Sequence, residues 1–155
     1  MSICLFLASE KPFPERDRIF DDDFSVYPAQ LWEVYTKKKY LANVEWDMYT
    51  AGCGKGLIAY MKAYLERTEL DELELWHVWL TYSERVRFRR RIVHIADLSS
   101  KDVEELWNMP VEEADPPAHP SEGEILTHYC LVITNRKEFR GQGESAYTPT
   151  DVWKA

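Results

Sequence analysis

Three stretches of this chain carry residue types that do chemistry elsewhere. The first is AGCGKGLI, residues 51–58, which sets Gly52, Gly54, Gly56, Cys53 and Lys55 ahead of an apolar helical pattern. A phosphate loop needs a first glycine five positions before Gly-Lys and a Ser or Thr after the lysine. Here Tyr49 and Gly56 occupy those positions, so the hydroxyl for magnesium and the first glycine are both missing. What remains is a tight turn opening a helix, with positive φ at the glycines and free amides that an anion could use. Cys53, at that helix start and beside Lys55, is placed to have a lowered thiol pKa. It lacks a neighbouring base in sequence, so no catalytic residue is assigned.

The second stretch is RVRFRRR, residues 85–91. On a strand, Arg87, Arg89 and Arg91 share one face, while Phe88 and Arg90 share the other. Three guanidinium groups in a row can grip a phosphate or carboxylate. The plainer expectation is a solvated face paired with Glu69, Asp71, Glu72 and Glu74. A small anion on Arg87, Arg89 and Arg91, or on the Gly52–Gly56 turn, is the alternative binding function.

The third stretch is acidic. From Asp97 to Glu124 there are nine acids against the single base Lys101, and the other 18 acids and 18 bases cancel, so the whole net charge of −8 resides there. Such a field repels nucleic acid and attracts a basic protein. Asp102, Glu104, Glu105, Glu112, Glu113 and Asp115 supply the charge, with Trp107 and Met109 as apolar anchors. His77, His94, His119 and His128 show no zinc spacing, so neither metal nor cofactor is expected.

Length and composition frame these stretches. A chain of 155 residues with 45% hydrophobic and 14% aromatic content suits a single α+β domain spanning 1–155. No apolar run approaches the roughly 20 residues that span a bilayer. The three cysteines are widely spaced, as in reduced cytoplasmic proteins.

The elements expected to position the three stretches follow from periodicity. Residues 2–8 read as a strand, 27–41 as a short helix, and Val44, Trp46 and Met48 as a half-buried strand. Leu57, Ile58, Met61, Tyr64 and Leu65 mark an amphipathic helix over 56–67. Residues 73–80 and 86–96 are strands, most simply joined as an antiparallel hairpin, although the SER link is a poor turn. Ser99 and Asp102 have capping-box spacing, with Leu98 and Val103 as a staple, for a helix ending near Trp107. A proline-rich loop fills 110–123, a strand 125–134, and an irregular tail runs from 138, docked by Tyr147 and Trp153. The expected fold is a mostly antiparallel sheet carrying two or three helices.

The stretch ELELWHVWLTYSERVRFRRRIVHIADLSSKDVEELW, within roughly residues 72 to 108, resembles small bacterial immunity proteins that neutralise toxins of contact-dependent inhibition. That resemblance implies a non-enzymatic toxin inhibitor whose partner is a basic, nuclease-type protein. It implies no transferable site residue.

Overall fold

In the computed structural model, the described residues are 3–19, 23–29, 36–46, 49–79, 85–109 and 126–154. The strands are β1 (Ile3–Ser9), β2 (Ser25–Pro28), β3 (Tyr40–Glu45), β4 (Glu72–Trp79), β5 (Arg85–His94), β6 (Leu126–Thr134) and β7 (Thr148–Lys154). The helices are α1 (Ala51–Thr68) and α2 (Ser100–Trp107), with single 3-10 turns at Ile95–Asp97 and Lys137–Phe139. The strands form one mixed sheet in the order β2-β3-β1-β4-β6-β5-β7. The α+β expectation holds.

Burial explains the strand order. β4 and β6 are apolar on both faces: Leu73, Leu75, Trp76 and Val78 face Cys130, Leu131, Val132 and Ile133 across the sheet centre, all buried. A strand that must hide both faces belongs in the middle. β6 therefore displaces β5 from β4, and the expected β4–β5 hairpin does not form. β5 instead pairs in parallel with β6, Arg89 against Tyr129 and Arg91 against Leu131. A parallel pair needs a long crossover, and α2 lies within it.

The tail is a second correction. Residues 148–154 are not irregular but form β7, which pairs antiparallel with β5 and covers the outer edge of the arginine-rich strand. The segment before it crosses β5 closely. Glu144 N–H donates to the Ile92 carbonyl at 2.9 Å, and a Cβ on Gly143 would sit 2.8 Å from that same oxygen. Only glycine lets the backbone pass so near. The expected helix over 27–41 also gives way: Tyr27 and Pro28 lie in β2, Tyr40 and Leu41 in β3, and 30–35 fall outside the described residues. Met48 of the strand expected at Val44, Trp46 and Met48 is likewise outside them, and the observed β3 begins earlier and ends at Glu45.

The glycine stretch is the third correction. α1 starts at Ala51, with Thr50 as N-cap accepting from Cys53 N–H at 3.1 Å. Gly52, Gly54 and Gly56 are therefore helical residues in the first two turns. The single positive φ among the described glycines is at Gly141. Each helical glycine costs about 1 kcal/mol relative to alanine, and packing gives the reason for two of them. A Cβ at Gly54 would meet the Tyr49 hydroxyl at 2.5 Å, and one at Gly56 would meet the Phe24 ring at 3.0 Å. The apolar face of α1, from Cys53 through Leu57, Met61, Tyr64 and Leu65, then closes over the sheet.

Candidate functional site

α2 is positioned by the sequence that precedes it. Ser99 and Asp102 form the expected capping box: the Asp102 carboxylate accepts from Ser99 N–H at 2.8 Å and Ser99 Oγ at 3.1 Å. Leu98 and Val103 are both buried in the main core, as the staple requires. The second carboxylate oxygen of Asp102 is used as well. Arg91 Nη1 donates to it at 2.8 Å, and both side chains are largely buried, at 13% and 16% exposure. Arg91 Nη1 also lies 3.9 Å from Glu105, and Arg91 Nε donates to the Glu144 carbonyl at 2.8 Å. One guanidinium thus ties β5 to α2 and to the segment before β7.

This geometry corrects two expectations about charge. At Arg89 and Arg91 the arginine face of β5 is not solvated: both are half-buried, on the same face as core residue Val93. The acids expected to pair with it are engaged elsewhere. Asp71 lies 3.6 Å from Arg136, Glu72 lies 3.5 Å from Lys38, and Glu74 accepts from Thr36 and from Trp76 Nε1. Arg87 is placed by backbone pairing with Thr127 and Val152, and its side chain is outside the described set. The acidic run, for its part, is not uniformly outward. Asp97 pairs with Arg140 at 2.8 Å and accepts from Gly141 N–H at 2.6 Å. Asp97 and Asp102 are therefore structural groups that fasten the tail and α2. Glu104 and Glu105 remain exposed, beside half-buried Trp107 and Met109. Glu112, Glu113 and Asp115, as well as His119, lie outside the described residues.

The nucleophile and ligand candidates are buried. Cys53 is 1% exposed inside α1. His77 and His128 are fully buried in β4 and β6, and burial pulls both pKa values down to about 4, with His77 adding to the effect at His128. His77 stacks on Tyr129 at 5.9 Å, and Tyr147 meets the same tyrosine edge-on at 5.6 Å. His94 serves the backbone, its Nδ1 accepting from Ala96 N–H at 3.0 Å. Among the described residues no three His, Cys, Asp or Glu side chains converge as a metal site.

No sequence signal marks a cleft that opens where three strands end. It has a volume of about 300 Å³, and its walls include Cys4 of β1, Asn43 and Glu45 of β3, Arg18, Trp46 and Trp107. Trp46 and Trp107 meet at 5.4 Å, nearly edge to face, and Tyr49 packs on Trp46 at 5.8 Å. The far end of α2 thereby forms one wall. Glu45 accepts from the Tyr27 hydroxyl, a bond that raises the tyrosine pKa, while Asn43 donates to the same hydroxyl. Burial, reinforced by Glu45, pushes the Cys4 thiol up, so it is neutral at pH 7. No local pattern announces such a site, because its walls come from positions 4, 5, 18, 25, 43–46 and 107.

The fold and site together define a small α+β protein whose second helix is clamped to a mixed sheet and presents carboxylates next to tryptophan. No family profile, curated protein or solved structure matches the chain. Among the described residues no helix is long and apolar enough to cross a membrane.

Proposed function

We propose that the chain is a non-enzymatic acidic binding protein that occludes a basic protein partner through the outer face of α2. One observation carries this reading: the Arg91–Asp102 bridge fixes α2 to the sheet while Glu104 and Glu105 stay exposed beside Trp107 and Met109. A rigid helix bearing charge around apolar anchors is the arrangement that speeds encounter and slows release. Glu112, Glu113 and Asp115, next in sequence, add charge of the same sign. Asp102 drops from the contact set and becomes the anchor. The resemblance of residues 72–108 to immunity proteins makes a basic toxin the partner class to try first. An anion-binding module has less support, because Arg91 is held by Asp102 and the glycines lie within α1.

The test is a double charge reversal, Glu104→Lys with Glu105→Lys, titrated by calorimetry with a hexa-arginine peptide and with candidate basic toxins. Affinity is expected to fall about tenfold or more, with a shallower salt dependence. Both positions are exposed and the 2.8 Å Arg91–Asp102 bond involves neither, so the melting temperature should fall only slightly, through the Glu105 reversal 3.9 Å from Arg91. Unchanged affinity rejects the surface.

A further inference from the structure

The cleft beside Trp107 supplies what a charged helix face alone lacks, a place for one side chain of the partner to enter. We propose that it receives a single arginine or lysine side chain from the cationic protein that docks on α2, with the charge at Glu45 and the aliphatic stem along Trp46 and Trp107. The proposal rests on the docking surface argued above and specifies its anchor point.

Three observations select a cation. Glu45 is oriented by a neutral phenol: Tyr27 donates to its carboxylate and leaves the negative charge in place. A second carboxylate stands close to the cleft on α2, since exposed Glu104 lies three residues, one helical turn, before Trp107, which lines the cleft. The two tryptophans, 5.4 Å apart, offer π-electron density that attracts ammonium and guanidinium groups. Arg18, the cation among the lining residues, makes an interaction of its own. Cys4, held neutral, adds no charge. The volume, about 300 Å³, is at the small end of binding pockets and fits one long side chain. Continuity completes the case, because Trp107 belongs both to the α2 surface and to the cleft.

The probe is acetyl-hexaarginine amide, titrated by calorimetry into the full chain, with hexacitrulline amide as the uncharged isostere. Glu45→Gln keeps an acceptor for Tyr27 and is exposed, so it should fold; its melting temperature checks this. Glu66→Gln removes the same charge from the exposed side of α1, near the opposite end of β1. Glu45→Gln and Trp107→Leu are each expected to weaken binding about tenfold, and Glu66→Gln less than about twofold. Hexacitrulline should not bind. If Glu45→Gln binds like wild type while the Glu104, Glu105 reversal is weakened, the cleft proposal falls and the docking surface stands. If wild type does not bind hexaarginine, both fall. Equal losses for Glu45→Gln and Glu66→Gln would reduce the effect to net charge and overturn the cleft.

Discussion

The helix-covered face of the sheet is held in two different ways. On the β2 side α1 lies over apolar side chains. Leu57, Met61 and Leu65 are buried, Phe13 stacks on Tyr64 at 4.4 Å, and the Tyr60 and Tyr64 hydroxyls reach out to the carbonyls of Pro14 and Lys11. On the β5 side Leu98, Val103 and Leu106 are buried as well, and polar contacts are added to them: Arg91 with Asp102 and Glu105, and Tyr147 over Tyr129 beside a buried His77. The neutral half contributes a non-directional attraction that scales with area. The polar half contributes orientation, because an ion pair and a capping box fix where α2 points. A helix that must present carboxylates outward needs that second kind of hold. The two halves therefore differ in what perturbs them, and pH is the sharpest divider.

The largest expected effect is the loss of stability in acid. His77 and His128 titrate near 4 in the fold and near 6.5 when unfolded. Between those values the unfolded chain binds the extra protons, so the histidine contribution is complete above about pH 6.5, falls as the pH drops towards 4, and levels off below. Each histidine accounts for roughly 3 kcal/mol across that window. Urea unfolding at pH 7.5 and pH 4.5 measures the drop, and His77→Leu should remove about half of it. Neither ring nitrogen of His77 has a hydrogen-bond partner among the described residues, so the apolar replacement sacrifices none. His128 shares the opposite face of β6 with Cys130 and Val132, so an identical pH slope in the variant would show that acid does not act at His77, on the polar half.

Next in size is the clamp. Arg91→Met leaves Asp102 largely buried without its cation and should cost about 2 kcal/mol, below the 3–5 kcal/mol of a fully buried pair because both groups keep some solvent contact. Adding Asp102→Asn should restore much of that loss. A double-mutant cycle reads the coupling directly, and additive effects would mean that α2 is held by its apolar residues, as α1 is.

What was legible in the sequence follows the same division. The capping box at Ser99, the central β4 and the end of α2 before Pro110 all came from local signals, and all hold. The failures came from long-range competition. The β4–β5 hairpin lost to β6 because Leu131, Val132 and Ile133 need burial on both faces, which neighbour-to-neighbour reading cannot weigh. β7 was missed because its order comes from pairing with β5, not from its own composition. At the site, Glu104, Glu105, Trp107 and Met109 could be placed from periodicity, whereas the inward turn of Asp102 depended on Arg91 from another strand. The cleft had no local signature at all.

The glycines of α1 give the smallest but most discriminating test, since they probe where the two halves meet. In an ordinary helix Gly→Ala gains about 1 kcal/mol. At exposed Gly52 that gain should appear in part. At Gly54 a methyl group would arrive 2.5 Å from the Tyr49 hydroxyl and 3.3 Å from Ser100 Cβ. The tyrosine would have to swing away and give up its 2.6 Å bond to the Ser100 carbonyl at the start of α2. That bond is worth about 1 kcal/mol, and the displaced ring also leaves Trp46, so Gly54→Ala should lose about 1 kcal/mol where Gly52→Ala gains. Thermal unfolding of the two variants resolves the opposite signs. A gain at both positions would mean that Tyr49 does not join α1 to α2, and the aromatic wall of the cleft would lose its support.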